Sequence, residues 1–376
     1  HEQKWSEPFV MVDVPDFPDV NPMMFIDPQE RLWLFWYTVI ANQWETSLPR
    51  YIRSTDYQSD GPPKWEWQDV ILFKPGGPTP RGIQPNDPFV TTVKRKLKEL
   101  HQHFFQTQPP SDPAELLKMQ EMFARFEQRS LTNARGEDMI RKGRVYSDDG
   151  SFEEKELGFP IVRRIGWQTK NKPIILDDSR LIVPYYSDEF SFSIMAITDD
   201  WCKTWQFSEP LVGPGNIQPC LVRKIDGTLV AYMRDNGPPP KRVMMSESTD
   251  NGFTWSMVRD SALPNPAAGT DAVTLQNGHW AIVYNDTEQG RYSLAISIST
   301  DEGKSWQWTR HLEVDDKDQI AAEGEYPAVI QGKDGLLHIV YSYDVKDGSG
   351  KPKKSIKYVK LSESWILNNT SENGDG

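Results

Sequence analysis

Arg234 and Arg291 are the side chains of this chain best suited to a charged ligand. A guanidinium can grip a carboxylate through two parallel N–H bonds, so two on one surface would select an acidic group. The plainer alternative pairs each with a neighbouring carboxylate, Asp235 or Asp286. Five further polar residues, Asn21, Lys172, Gln218, Asp271 and Tyr326, each open a short apolar run. A device that only stabilised a repeat would tend to reuse one residue type. Five different types at equivalent places suggest a pocket lining. Just before Lys172, Trp167 and Asn171 offer a sugar-stacking face and a hydrogen bond, with ordinary core packing the competing reading for Trp167.

The elements that must carry these residues repeat along the chain. Ser248 to Trp255 and Ser299 to Trp306 both fit Ser-x-Asp-x-Gly-x-x-Trp, about fifty residues apart. Thr198 to Trp205 is a degenerate copy, and a stretched one runs from Ser54 to Trp65. The composition suits a hairpin turn: Asp accepts backbone amides, Gly supplies positive φ, and Trp packs back on the strands. After the openers come tight links, Asp226-Gly227, Asn277-Gly278 and Asp334-Gly335, each followed by a second apolar run. Such dipeptides between apolar runs signal hairpins. Each unit thus reads as four antiparallel strands, A to D, and the repeat predicts an all-β, six-bladed β-propeller: five complete four-stranded blades plus an orphan N-terminal strand, Lys4 to Val10. The orphan either ends a sixth blade begun upstream, the favoured reading, or closes the ring against the last unit.

Strand direction alternates, so the start of A, the end of B and the start of C share one face. Arg234 ends a B strand and Arg291 opens a C strand, which places both with the five openers around one mouth. Residues 76–158 break the period with two amphipathic patterns, Val93, Leu97, Leu100, Phe104 and Leu116, Met119, Phe123, Phe126. They predict a helical insertion within a single domain spanning 1–376. The D–A connection returns to the mouth, so a lid or rim is favoured over decoration.

Composition removes several classes. A formal charge of −12 argues against nucleic acid, which needs a basic face. The longest apolar run, residues 32–41, falls short of the roughly 18 that a spanning helix requires. Cys202 and Cys220 cannot make a disulfide framework, and the six His lack metal-ligand spacing, so no metal or cofactor is expected. The segment from His1 to Trp5 shows no initiator Met and no apolar signal core, as in a mature form or a piece of a longer protein.

The repeated turns, with Gln218-Pro219, Arg234, Gly290-Arg291 and Glu325-Tyr326-Pro327, resemble the sialidase (neuraminidase) superfamily of Asp-box propellers. The stretches Asn21-Pro22, Asn171-Lys172-Pro173 and 263–266 are most similar to its bacterial predicted-neuraminidase (BNR repeat-like) branch. The resemblance implies an exo-glycosidase that releases a terminal acidic sugar, sialic acid by default, from a glycan. It implies Arg234 and Arg291 as the second and third members of a carboxylate-binding triad, and Tyr326 as nucleophile. A neutral phenol avoids the repulsion a carboxylate nucleophile would suffer from an anionic substrate. Gln218 stands where the family has a Glu, and the first arginine and the acid/base Asp would belong to a blade absent here. Glu325 and Asp271 face the same mouth and are the remaining candidates for acid/base work. Two other readings stay open: a uronic-acid or rhamnose glycosidase or lyase with Asp271, Lys172 or Tyr326 as acid or base, and a non-catalytic sugar-binding propeller. Export to the periplasm or beyond is the expected location.

Overall fold

The Asp-Gly and Asn-Gly links do what their composition predicts. Gly227, Gly278 and Gly335 all take positive φ, +91°, +87° and +78°, and reverse the chain between paired strands. A computed structural model of the protein describes residues 5, 7–76, 86–107, 109–135, 141–146, 151–157, 163–176, 179–346 and 352–368. The first sheet holds β1 (Asp19–Ile26), β2 (Leu32–Val39), β3 (Ser47–Ser54) and β4 (Trp67–Val70). Then come α1 (Pro88–Thr107), α2 (Pro113–Arg135) and a hairpin of β5 (Arg141–Tyr146) with β6 (Phe152–Leu157). The second sheet holds β7 (Ile174–Leu176), β8 (Arg180–Ser187), β9 (Phe192–Thr198) and β10 (Gln206–Phe207). The third holds β11 (Asn216–Arg223), β12 (Leu229–Asp235), β13 (Arg242–Ser248) and β14 (Arg259–Pro264). The fourth holds β15 (Asp271–Thr274), β16 (Trp280–Tyr284), β17 (Ser293–Ser299) and β18 (Trp308–Val314). The fifth shows β19 (Ala322–Gln331), β20 (Leu337–Lys346) and β21 (Pro352–Leu361), followed by α3 (Glu363–Leu367).

Every sheet is an antiparallel meander in chain order, and apolar cores form between consecutive sheets. Leu176, Ile182 and Met195 of the second meet Leu229, Met233 and Trp255 of the third. Cys220, Tyr232 and Val243 meet Ala272, Trp280 and Ile282 of the fourth. Ala281, Val283 and Ile296 then meet Val329, Ile339 and Tyr341 of the fifth. The first strands of all five converge on one centre, where residues 169–172 hydrogen-bond in turn to Asn21, Pro327, Gln218 and Asp271. This is an all-β propeller of five blades, four of them four-stranded; the fifth shows three strands among the described residues.

The orphan segment is placed differently from the expectation of a strand. Glu7 to Val10 form none, and Lys4 and Ser6 lie outside the described residues. Trp5 instead packs edge-on against Tyr358 of β21, at 5.4 Å between centroids. Met11 and Val12 lie on Leu34, Trp36 and Ile52 of the first sheet, where Trp65 Nε1 donates to Met11 O at 2.9 Å.

Both expected helices form, each started by Asp-Pro. Asp87 Oδ1 accepts Val90 N at 3.1 Å and Asp112 Oδ1 accepts Glu115 N at 2.8 Å, while Pro88 and Pro113 occupy the first turn, where an N–H would lack a partner. Phe89, Val93, Leu97 and Leu100 of α1 and Phe123 and Leu131 of α2 join the core of the first two sheets. The insertion is thus packed in, and it carries the β5–β6 hairpin that the helical pattern did not foresee; Gly158, its expected end, falls outside the described residues. No helix among the described residues is long and apolar enough to cross a membrane.

Candidate functional site

Three of the openers share a backbone device. Asn21, Gln218 and Tyr326 sit at irregularities in β1, β11 and β19, each with φ near the left-handed region: +50°, +54° and +52°. Left-handed backbone is uncommon for any residue but Gly and costs energy for Gln and Tyr. Such strain persists where surrounding structure enforces it, often at binding sites. Here each bulge turns a polar side chain out of its strand and into the mouth.

The side chains so turned form one network. Asn21 Nδ2 donates to Thr169 O at 3.0 Å and to Tyr37 OH at 3.2 Å, with Tyr186 OH at 3.5 Å. Gln218 Nε2 donates to Tyr186 OH at 3.3 Å, while Gln218 Oε1 is buried without a partner. Burial pushes the phenols of Tyr37 and Tyr186 well above their usual range, so both stay neutral donors. Arg234 Nη1 donates to Tyr326 OH at 3.4 Å, and its Nε is buried without a partner. The Arg291 guanidinium lies 5.4 Å over the Tyr326 ring, donates to Ala267 O at 2.8 Å, and pairs with Glu325. Tyr326 therefore sits between two cations. Gly269 allows this closeness: a Cβ there would stand 2.6 Å from Lys170 Cε and 3.1 Å from both Gln218 Oε1 and Tyr326 Cδ1.

Beneath the mouth lies a floor of paired groups. Asp271 Oδ2 accepts Lys172 Nζ at 2.7 Å and Val329 N at 2.8 Å, and Lys172 also donates to Ala272 O at 2.8 Å. Asn171 donates to the Gln218 and Pro219 carbonyls at 3.1 and 3.0 Å. With 1% of its surface exposed, Asp271 is a strut between sheets rather than the acid or base expected of it. Of the two readings for Trp167 the structure takes core packing: it is fully buried, stacked on Phe73 at 5.2 Å and Phe190 at 5.5 Å, and presents no face to a sugar. Six of the ten singled-out residues, Asn21, Gln218, Arg234, Arg291, Glu325 and Tyr326, meet at the mouth; Asn171, Lys172 and Asp271 hold the floor, and Trp167 is core.

Sequence reasoning passed over four residues. Tyr37 and Tyr186 end their B strands at the position Arg234 occupies in the third sheet, a register match that was available but unused. Lys170 donates to Asn171 Oδ1 at 2.8 Å, Thr270 O at 3.3 Å and Pro327 O at 2.8 Å, and burial lowers its pKa to about 8. Asp188, in the loop after β8, has its pKa raised by burial, an effect that the charge of nearby Arg234 partly opposes. A carboxyl whose pKa is raised, beside an arginine and two neutral phenols, is placed to give up a proton to a ligand. Among the described residues no three His, Cys, Asp or Glu side chains gather closely enough to hold a metal ion.

The helices flank this face. Arg129 Nη2 donates to Ser191 Oγ at 3.1 Å and Asn133 Nδ2 to Glu189 Oε1 at 2.7 Å, which ties the C-terminal half of α2 to the loop that carries Asp188.

No curated protein matches the chain. Solved structures with a similar course include a protein of unknown function from Dyadobacter fermentans, at 11% identity over 94% of this chain and 97% of that one, with a TM-score of 0.48. The NanB sialidase from Streptococcus pneumoniae aligns at 11% identity over 95% of this chain and 71% of that one, TM-score 0.48. An α-L-arabinanase from Penicillium chrysogenum aligns at 20% identity over 51% and 62%, TM-score 0.39. Residues 132–339, more than half of the sequence, match the BNR repeat-like domain, and together with the repeated turns and blades this shows that the chain belongs to the BNR repeat-like domain family.

Proposed function

We propose that the protein is a carbohydrate-active enzyme, a glycoside hydrolase that releases a terminal acidic sugar, with sialic acid the first substrate to test. One observation carries the reading: the Tyr326 phenol is held on a strained bulge between Arg234 and Arg291. A sugar carboxylate would displace Glu325 from Arg291 and dock against both guanidiniums. The phenol oxygen then attacks the anomeric carbon, giving its proton to the displaced Glu325 carboxylate, while Asp188 passes its proton to the leaving oxygen. Water, deprotonated by the Asp188 carboxylate, next cleaves the glycosyl–tyrosine bond, and Glu325 returns its proton to the departing phenolate. Glu325, already bound to Arg291, acts as the counter-ion that the substrate replaces. Secretion to the periplasm or outside the cell suits such an activity.

The test is release of methylumbelliferone from its sialoside by the full chain. Tyr326→Phe is expected to lower turnover by about 10³-fold or more with folding intact. Unchanged turnover in that variant sinks the reading.

A second reading is favoured by Gln218, which cannot serve as a base for the phenol and whose Oε1 is unpaired beside it. A uronic-acid lyase would hold the uronate carboxylate on the arginines and use Tyr326 as a relay, its oxygen taking the C5 proton as its own proton passes to the departing O4, with Gln218 Nε2 on the developing enolate. Absorbance of an unsaturated uronate on treating ulvan or polygalacturonate, with the sialoside untouched, would select it. Saturable glycan binding without turnover of either would select a binding propeller.

A further inference from the structure

We infer a second carbohydrate-binding site, in the groove between α2 and the Pro238–Pro239 turn, that takes the part of an anionic glycan extending out of the mouth. The inference rests on the mouth being a glycan site and adds the substrate class: a chain of acidic sugars rather than a short terminal unit.

The groove has a volume of about 810 Å³, with Phe104, Met119 and Phe126 along the helices and Pro238 and Pro239 opposite. It runs inward into a hollow of about 510 Å³ that shares Phe126, Arg129 and Pro238 with it and ends on Ser191, Asn236 and Gly237. Asn236 and Gly237 directly follow Arg234 and Asp235, and Ser191 lies in the loop that carries Asp188. The inner end is thus lined by chain neighbours of Arg234 and Asp188, and we take the groove as the path outward for a chain whose terminal sugar is held by Arg234.

The lining suits sugars. Aromatic rings and prolines offer flat apolar surfaces to the C–H faces of pyranoses, and cations at the edge meet carboxylates. The Arg129 guanidinium lies 5.9 Å over Phe126 and donates to Ser191 Oγ, which sets a ring, a cation and a hydroxyl in a row. Lys118 and Arg125 stand further out. The carboxylates of this edge are already engaged: Glu121 pairs with Arg125 at 3.1 Å, and Glu115 accepts Ser111 N at 2.7 Å. Lys118, Arg125 and Arg129 against Glu115 and Glu121 leave this edge one positive charge in excess, in a chain of charge −12.

Isothermal titration of the full chain with galacturonate and hexagalacturonate, and with sialate and its α2,8-linked hexamer, tests the site. At least one hexamer should bind roughly tenfold or more tighter than its monomer. Lys118→Glu with Arg125→Glu, both exposed on α2, should abolish that advantage and leave monomer binding unchanged. Met122→Cys carrying a bulky maleimide should do the same; both native thiols are buried, so labelling is selective. A hexamer advantage that survives both variants, or none in the unmodified chain, overturns the inference. Monomer binding that is indifferent to Arg234→Met would instead overturn the reading of the mouth, so the two failures are told apart.

Discussion

The two faces of the propeller are built on opposite principles. On the far face, three turns repeat one solution almost atom for atom. Asp200, Asp250 and Asp301 each accept a hydroxyl at 2.8 Å through Oδ1, from Thr198, Ser248 and Ser299. Each then accepts a backbone N–H at 2.9 Å and a hydroxyl at 2.6 Å from Thr204, Thr254 and Ser305. The Ser305 bonds hold Asp301 down to a pKa of about 2. At the mouth no two sheets use the same opener, three of the five openers sit in left-handed backbone, and Gln218 and Arg234 keep buried atoms without partners. Satisfied and repeated chemistry stabilises; varied and unsatisfied chemistry is held ready for a ligand.

The largest test of this contrast is Asp188→Asn. As proton donor, Asp188 is active when protonated, so activity should fall as pH rises through its pKa, which burial has moved above the ordinary carboxylate range. Asn cannot donate, and turnover of a sialoside with an alcohol leaving group should drop about 10²- to 10³-fold. Methylumbelliferone leaves readily without a proton, so its loss should be at least roughly tenfold smaller. Equal losses on both substrates would remove Asp188 from the chemistry. Stability should move the other way. A carboxyl whose folded pKa is raised costs stability as pH climbs from its unfolded pKa towards the folded one. The variant should therefore gain in melting temperature at neutral pH and show no gain below the ordinary carboxylate range.

The far face should answer in reverse. Asp250→Ala removes the acceptor for Ser248 Oγ, Phe253 N, Thr254 N and Thr254 Oγ1 in a turn that closes the third blade. At about 1 kcal/mol for each bond that water does not replace, a loss of roughly 2–3 kcal/mol is expected in urea unfolding. Activity of the folded fraction should be unchanged. A fall in kcat larger than the fall in folded protein would break the division between the faces.

The repeat was legible because hairpin chemistry is local: Asp226-Gly227 or Ser248 to Trp255 carry their geometry within a few residues. The mouth was legible only through strand direction. Alternation fixes which strand ends meet, and in the structure Arg234 and Arg291 both reach Tyr326. Which of them touch was not written there. Lys172 and Asp271 find each other across the centre, and their pairing, which makes Asp271 a strut, depends on how five sheets close together. Trp167 was left between two readings for the same reason: a tryptophan in a loop near the mouth faces inward because α1 and Phe190 build a core around it. Asp188 looked like one more acidic loop residue, for its distinction is the company of Arg234, Tyr37 and Tyr186, which no local pattern records.

The smallest expected effect probes how strictly the far face needs its glycine. In the second blade that place is held by Cys202, at φ +68°, where the third has Gly252 at +89°. Left-handed backbone costs a Cys about 1 kcal/mol, which Cys202→Gly would recover. The same change gives up the burial of a thiol that is 1% exposed, worth about 1 kcal/mol, and frees the unfolded chain by a further 0.5–1 kcal/mol or so. The opposing effects leave the variant within about 1 kcal/mol of the parent. The reverse exchange is not symmetric. A Cβ on Gly252 would stand 2.9 Å from Ile182 Cδ1 in the core between the second and third sheets, so Gly252→Ala adds crowding to backbone strain. It should cost about 2 kcal/mol. Urea midpoints of the two variants compare these directly. If both substitutions were equally costly, the second blade would need its cysteine for more than filling space. If both were neutral, the turn would tolerate any small residue, and the left-handed position would be no constraint on the repeat.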